Sequence, residues 1–425
     1  MGATSHRARS LIYILDVFPA DTLNFVYNEL REIESAGLPV EIFSLSPTAY
    51  CPQEARDYAA RTTVLRPVPL GRLLTACGHY LLRRPLPLLR LCWQLPAEDL
   101  RGGPRQAARA LAHLLFGIYF AYRVRHRPAH IHAHFAFKAA TAGLAAARLN
   151  GQPFSFTAHG GATVHPPSRF HLRSKIRAAD PIVAISDYNR RVLRQLCPGI
   201  PDDRMRVNRT GVRIEQFPYR DPPARGDPLR LLCVASLRPI KNHECLLAAC
   251  GQLARDGIDF RLDLIGRATA RRLAHLQRLA AAHQIASRVS FRGVADHTTI
   301  ARAYGEADLF VLTSLSEGVP VALMEAMATG TPVIAPRVTG VPELVRQEET
   351  GLLADPRRPP EFAAQIARAH RDPALRLRLA RGARARIEAD YDISRNARRL
   401  ARWFRERLSD PAPEPAPQRD PRGAF

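Results

Sequence analysis

Short apolar runs alternate along the chain with segments whose apolar residues recur at helical spacing. The apolar runs are nearly continuous, which is typical of parallel strands covered by helices on both faces. Repeated alternation of this kind predicts a doubly wound α/β architecture. The predicted strands are Leu11–Leu15, Val40–Leu45, His130–Phe135, Phe154–His159, Ile182–Ser186, Arg230–Ser236, Phe260–Gly266, Arg288–Gly293, Asp308–Ser314 and Pro332–Pro336.

A run rich in Pro and Gly interrupts this alternation near the middle of the 425 residues and predicts a linker at 218–228. The linker separates a Rossmann-like domain at 1–217 from a second one at 229–391, each with about five predicted strands. Residues 392–408 carry apolar positions on one helical face and predict a final helix that crosses back to the first domain. The Pro-rich stretch 409–425 predicts a disordered tail.

Composition narrows the class of protein. Hydrophobic residues make up 46% of the chain, which is enough for packed cores. The seven cysteines are odd in number and form no CxxC pair, so we expect reduced thiols in a cytosolic protein. The apolar run Leu11–Leu15 is shorter than a signal-peptide core, and no stretch approaches the ~20 apolar residues that span a bilayer.

Positive charge is concentrated in residues 66–127, where eleven arginines accompany only two acids, Glu98 and Asp99. Leu, Trp and Phe residues lie between the arginines, a pattern that favours a helical surface resting on anionic lipid. An ordinary arginine-rich helical layer is the alternative. Nucleic acid is not an expected partner, because the chain carries no recognition motif or aromatic stacking module.

Residues 313–336 carry the clearest chemical pattern. A strand is predicted to end near Ser314, and a polar loop with Glu317 and Gly318 follows it. Pro320 suits the first turn of a helix, and Gly330 suits its end. The free N–H groups at this helix N-terminus predict a pyrophosphate site.

Glu317 and Glu325 lie on either side of the start of this predicted helix. A carboxylate accepts two hydroxyl hydrogen bonds, so each acid suits a sugar diol. The alternative is that both are solvated surface residues. The flanking strands and the Glu-Ala-Met-Ala-x-Gly-x-Pro run favour a ligand site.

This segment resembles the donor site of glycosyltransferase family 4, whose members are retaining enzymes of the GT-B fold. The resemblance implies two Rossmann-like domains with parallel sheets facing across a cleft. It implies that Glu317 contacts the donor sugar and Glu325 the ribose, while the backbone at Gly318, Val319 and Val321 faces the sugar and diphosphate.

The stretch from Val234 to His243 resembles the family's first C-domain strand and the loop after it. Lys241 matches the family's lysine, whereas Ala235 and Ser236 stand where Gly-Arg is commonest. Arg238 is the candidate substitute for the missing arginine. Both cations are suited to neutralising a diphosphate leaving group, although either is alternatively an ordinary surface residue.

Histidines end two predicted strands of the first domain. His130, His132 and His134 share one face, but no carboxylate or cysteine accompanies them in the sequence, so no metal site is predicted. The Thr-Ala-His-Gly run ending at Gly160 resembles the family's acceptor-side loop and places His159 near the anomeric centre. The loop Phe18–Phe25 resembles that of exopolysaccharide members, which adds Asn24 to the acceptor-side residues, with His134.

The resemblance implies transfer of a hexose from a UDP- or GDP-linked sugar by front-face substitution. No Asp-x-Asp motif occupies a fitting position in the sequence, so we expect transfer without a metal or a cofactor. The implied catalytic residues are His159, Glu317, Lys241 and Arg238, with a glycan or lipid-linked glycan as acceptor in surface polysaccharide synthesis. We expect a cytoplasmic protein, peripheral on the inner face of the plasma membrane. The alternatives are a nucleotide-sugar epimerase, a phosphorylase or a non-catalytic donor-binding scaffold.

Overall fold

The computed structural model describes residues 10–20, 23–48, 51, 55–99, 103–160, 171–222 and 228–409. The chain forms two compact units. The first comprises residues 1–184, 190–208 and 397–425, and the second comprises residues 185–189 and 209–396.

A parallel sheet forms the centre of the first unit, with strand order β3-β2-β1-β4-β5-β6-β7. Its central strands are buried along nearly their whole length, as their continuous apolar sequences predict. The strands are β1 Ser10–Val17, β2 Val40–Ser46, β3 Thr62–Val64, β4 Ala129–His134, β5 Phe154–Ala158, β6 Ile182–Ala184 and β7 Met205–Val207.

Helices cover both faces of this sheet and divide its apolar residues into two clusters. The helices are α1 Asn24–Ser35, α2 Arg56–Arg61, α3 Leu70–Arg83, α4 Pro85–Asp99, α5 Pro104–Val124, α6 Lys138–Asn150, α7 Leu172–Ala178 and α8 Asp187–Leu196, whose first three residues count with the second unit.

The second unit has its own parallel sheet, in the order β10-β9-β8-β11-β12-β13, and one apolar core. Its strands are β8 Leu229–Val234, β9 Phe260–Ile265, β10 Val289–Gly293, β11 Leu309–Val311, β12 Val333–Pro336 and β13 Leu352–Ala354. Its helices are α9 His243–Arg255, α10 Ala270–Ala282, α11 His297–Glu306, α12 Val321–Thr329, α13 Val341–Leu344, α14 Pro359–Arg371 and α15 Pro373–Asp390. Two parallel-sheet, Rossmann-like units confirm the predicted fold class.

The prediction of about five strands in each half was too low. Three strands, β3, β7 and β13, have only three residues each and lie at the edges of the sheets. Such short segments give no periodic signal in the sequence, because their identity depends on the neighbouring strand that pairs with them.

The last helix, α16 (Ile393–Ser409), begins in the second unit, and from Ala397 onward it belongs to the first. Its Phe404 ring centroid lies 5.0 Å from that of His132 and 6.2 Å from that of Tyr13. The prediction of a final helix that returns to the first domain is therefore confirmed. Ser409, the first residue of the predicted tail 409–425, is instead the last residue of α16. Residues 410–425 and linker residues 223–227 lie outside the described residues.

Helix α12 ends where the sequence places its terminating glycine. Gly330 adopts a left-handed conformation with a φ of +89° and directs its N–H to Met327. A Cβ on Gly330 would lie 2.3 Å from the carbonyl oxygen of Arg220. Backbone conformation and close packing therefore both require glycine here.

We expect Gly330→Ala to lower the free energy of unfolding more than Gly257→Ala does. Gly257 has a similar φ of +76°, but a Cβ there would meet nothing within 4 Å. The control should lose only the conformational term, about 1 kcal/mol, whereas Gly330→Ala adds an overpacking term of about 1–3 kcal/mol. Urea denaturation of both variants measures the difference. Equal losses of unfolding free energy in the two variants would mean that the backbone at Arg220 moves to accommodate the Cβ without an energetic cost.

Candidate functional site

The loop between β11 and α12 has the architecture expected of an anion site. Thr313 and Ser314 are buried after the strand, and Val321 is the first residue of the helix. Pro320 is the N-cap residue and has extended backbone angles. The helix therefore begins one residue after Pro320, which the sequence analysis had placed inside its first turn. The first N–H groups of α12 have no acceptor within the helix, so they are available to a ligand.

An ion pair joins this loop to the loop after β8. The Nζ of Lys241 lies 2.5 Å from Oε1 of Glu317, and the two side chains are 24% and 10% exposed. The pairing is supported by backbone contacts, because Leu315 N–H donates to the carbonyl of Ile240 at 2.9 Å. The Thr313 hydroxyl also donates to the Asn242 carbonyl, at 2.9 Å. Two residues predicted separately from sequence are thus brought into direct contact.

A third loop, after β12, completes this side of the site. The Thr339 hydroxyl accepts a hydrogen bond from the N–H of Glu317 at 3.2 Å and donates to the carbonyl of the same residue. Gly340 packs so closely that a Cβ there would lie 2.2 Å from the Gly318 carbonyl oxygen. Sequence reasoning missed Thr339 and Gly340, since nothing near them in the chain marks them as neighbours of Glu317.

Glu325 lies on the second turn of α12 and is partly buried. Its Oε2 accepts a hydrogen bond of 2.9 Å from the hydroxyl of Tyr304, a buried residue of α11 that the sequence analysis missed. Burial raises the pKa of Glu325 to about 7, and the Tyr304 hydrogen bond offsets part of this rise. The carboxyl group is consequently poised between its two protonation states near neutral pH.

The remaining predicted residues of this unit surround the same loops. Val319 is buried, whereas Gly318 and Val321 are partly buried. Arg238 is exposed, and its backbone N–H donates to the carbonyl of Ser236 at 2.7 Å. Its guanidinium is thus on the surface of the loop that carries Lys241.

In the first unit the three predicted histidines of β4 are fully buried, in a row of polar side chains. The Nε2 of His130 and the Nδ1 of His132 each lie 2.7 Å from the Ser155 hydroxyl, and His132 Nε2 lies 3.0 Å from that of Thr157. These hydroxyls belong to β5, the strand that pairs with β4.

His134 continues this row and makes different contacts. Its Nδ1 lies 3.2 Å from Nε2 of His159, and its Nε2 lies 3.0 Å from Oε1 of Glu29 on α1. Burial, followed by the electrostatic effect of the neighbouring His134 ring, holds the pKa of His159 well below its usual value. The expectation that no carboxylate accompanies these histidines was wrong, because Glu29 is distant in the sequence and the fold brings it alongside.

Among the described residues, one group has ligand atoms arranged so that they could hold a metal ion. It consists of Glu29, His132 and His134, whose ligand atoms lie within 4.8 Å of one another. Both ring nitrogens of His132 are already occupied by hydroxyl partners, and His134 Nδ1 faces His159. The arrangement fits a hydrogen-bonded network better than a metal centre.

Two further acceptor-side residues lie at the ends of elements in the same unit. Gly160 follows β5 and is partly buried, next to His159. Asn24 is the first residue of α1, and its side chain lies outside the described part of the structure.

Comparison with known proteins identifies the family. The model for "Glycosyltransferase Family 4" matches residues 24–216, and the model for "Glycosyl transferases group 1" matches residues 218–386. The D-inositol 3-phosphate glycosyltransferase of Frankia alni is 32% identical over 308 residues, which cover 66% of this chain and 75% of that protein. The chain belongs to glycosyltransferase family 4.

One further sequence relative and one solved structure are similar to this chain. The putative colanic acid biosynthesis glycosyltransferase WcaL of Salmonella typhimurium is 32% identical, over 45% of this chain and 48% of that protein. The match thus spans about half the length of that relative. Anabaena HepE, solved in complex with UDP and glucose, has a TM-score of 0.71 at 16% identity and covers 94% of this chain and 100% of its own, which shows a shared fold.

None of the helices within the described ranges has both the length and the apolar character needed to cross a bilayer.

We expect the stability of this protein to depend on pH through Glu325. Because its folded pKa of about 7 exceeds the ordinary value for glutamate, ionisation of Glu325 destabilises the fold above pH 7. That cost, about 3 kcal/mol for a pKa raised from 4.5 to about 7, is relieved as the pH falls from about 7 towards 4.5.

Glu325→Gln should remove this part of the pH dependence, as measured by urea denaturation at several pH values. Glu306→Gln is the control, since Glu306 is an exposed residue on α11. An unchanged pH profile in Glu325→Gln would contradict the assignment.

Proposed function

We propose that this chain is a retaining glycosyltransferase that moves a hexose from a nucleotide-diphosphate sugar to a saccharide or lipid-linked saccharide. The observation that carries the proposal is the Lys241–Glu317 ion pair beside the N-terminus of α12. It places a cation, a carboxylate and free backbone N–H groups at one edge of a parallel sheet. Those three groups match a diphosphate joined to a polyhydroxylated sugar.

The diphosphate would take the positive side of this arrangement. Lys241 is partly exposed and Arg238 is exposed on the same loop, so both are accessible to phosphate oxygens. Charge develops on the diphosphate as the glycosidic bond breaks, and fixed cations stabilise it without a reorganisation cost. These cations and the helix N-terminus supply the charge that a metal ion would otherwise provide, so we propose metal-independent transfer.

The acids would hold the two sugars of the donor. Glu317 already lies against Lys241, so a hexose bound there would lie beside the diphosphate. Glu325 lies eight residues further along the chain, on the second turn of α12, and would accept hydrogen bonds from the ribose. The complex of Anabaena HepE with UDP and glucose supports a nucleotide sugar as the donor class.

The reaction we propose is front-face substitution. The glycosidic C–O bond to the diphosphate breaks, the acceptor oxygen bonds to the anomeric carbon on the same face, and a diphosphate oxygen takes the acceptor proton. The chain contributes positioning and charge stabilisation. A neutral His159 would orient a hydroxyl near the anomeric centre, and similarity to a colanic acid biosynthesis protein supports a role in surface polysaccharide synthesis.

We expect Lys241→Ala to lower turnover about 100- to 1,000-fold, because one preorganised charge in the transition state is lost. Release of nucleotide from UDP- and GDP-hexoses in the presence of acceptor measures the loss. Arg302→Ala is the matched control, since Arg302 is an exposed cation on α11. Turnover within twofold of the native protein in Lys241→Ala would exclude the lysine from the site.

We also propose that helices α3 and α4 rest on an anionic membrane surface at the cytoplasmic face. Their exposed apolar side chains include Leu82 at 84%, Trp93 at 78% and Leu86 at 66% exposure. The basic residues Arg83 and Arg90 are exposed on the same helices, and Arg84 is exposed between them. Exposed apolar side chains beside arginines match the boundary between acyl chains and anionic headgroups.

Sedimentation with vesicles of phosphatidylglycerol and phosphatidylcholine tests this surface. We expect the triple change Arg83→Glu, Arg84→Glu and Arg90→Glu to abolish binding at low salt, because each basic residue contributes about 1 kcal/mol. The control reverses three exposed arginines of the second unit, Arg271, Arg278 and Arg302, so the net charge is the same. Equal loss in both variants would indicate an effect of net charge, and no binding by the native protein would end the proposal.

A further inference from the structure

We infer that Glu29 and His134 form a relay that fixes the protonation pattern of His159. The inference rests on the proposed function, in which His159 orients a hydroxyl at the reacting centre. Glu29 and His134 would be positioning residues, acting on the reaction only through the His159 ring. Neither the sequence pattern nor the family resemblance assigns a role to Glu29.

The relay is a continuous line of contacts in the first unit. The Tyr13 hydroxyl donates to Oε1 of Glu29 at 2.8 Å. The same oxygen lies 3.0 Å from His134 Nε2, a contact whose geometry does not meet that of a hydrogen bond. His134 Nδ1 then lies 3.2 Å from His159 Nε2.

The side chains along this line are almost completely buried, so protein contacts rather than water set the protonation of their ring nitrogens. His134 has no exposed surface, and Glu29 and His159 are each only 6% exposed. The Phe25 and Phe135 rings lie 4.8 and 4.4 Å from the His159 ring, centroid to centroid. Water therefore has little access to the ring nitrogens, and their partners within the protein decide which of them carries a proton.

The Glu29 carboxylate determines which atom donates at each contact along the relay. Burial and the nearby Glu29 raise the pKa of Tyr13 well above its ordinary value, so its hydroxyl stays protonated and donates. A carboxylate only accepts, so His134 must carry its proton on Nε2 to face Glu29 favourably. With one proton on the His134 ring, at Nε2, its Nδ1 is an acceptor, and His159 donates to it from Nε2.

The relay also determines the protonation of Nδ1, the other nitrogen of the His159 ring. With its proton held on Nε2, neutral His159 presents Nδ1 as an unprotonated acceptor. It can therefore receive a hydrogen bond from a substrate hydroxyl and cannot donate one through that nitrogen. A histidine held by a second residue that is itself fixed by a carboxylate is an arrangement that sets both tautomer and ring orientation.

The test compares Tyr13→Phe/Glu29→Met with Tyr13→Phe alone, so that no phenol is left without its acceptor. Nitrogen-15 NMR of histidine-labelled protein reports which ring nitrogen of His159 is protonated, with His159→Asn used to assign the signal. We expect the Nε2–H form in the Tyr13→Phe background and a mixture of tautomers once Glu29 is replaced. Glu29→Gln, which keeps an acceptor oxygen, should retain the Nε2–H form.

Activity provides a second readout. We expect kcat to fall about 10- to 100-fold on loss of Glu29, with KM for the nucleotide sugar within about threefold. His130→Gln is the matched control, because His130 is also buried on β4 but contacts Ser155 and not His159. It should leave the His159 tautomer unchanged.

Each result decides the proposal. An unchanged His159 tautomer after replacement of Glu29, or the same change in His130→Gln, would overturn the relay. One equivalent of metal bound to purified protein and lost in the Glu29 variant would also overturn it, in favour of a metal centre at Glu29, His132 and His134. If the native protein releases no nucleotide, the proposed function fails, while the tautomer measurement still decides the relay.

Discussion

The pairing of Lys241 with Glu317 is the interaction on which the second unit's candidate site depends. Two charges that are mostly removed from water need each other, because either one alone would carry an uncompensated desolvation cost. The ion pair between them joins the loop after β8 to the loop after β11. The contact also places a lysine ammonium next to a carboxylate, the two groups proposed to bind phosphate and sugar hydroxyls. One ion pair therefore serves both the packing of the loops and the proposed chemistry.

A different constraint organises the first unit. Three histidines of β4 point into a buried layer, where most of their ring nitrogens have a polar partner; the Nδ1 of His130 and the Nε2 of His134 make no hydrogen bond to a described residue. Ser155 and Thr157 supply hydroxyls to His130 and His132, and α1 brings Glu29 to His134. The row leads from the interior to His159 at the end of β5, so the buried polar network and the candidate reacting residue form one structure.

Prediction succeeded where the signal is local. Helix α12 was placed within a residue at each end, because an apolar stretch between Pro320 and a glycine with positive φ carries its own start and stop signals. It failed for β3, β7 and β13, whose three residues become strands only through pairing. Tyr304, Thr339 and Glu29 escaped notice for a related reason, since each meets its partner from a distant part of the chain.

The sequence by itself determined the α/β class, the two parallel-sheet units, the helix that returns at the end and the family, since these follow from periodicity and from motifs a few residues long. Only the tertiary structure decided that Glu317 faces Lys241, that Tyr304 holds Glu325 and that Glu29 lies against His134. Contacts between residues far apart in the chain depend on strand order and packing. A local sequence pattern therefore does not predict them.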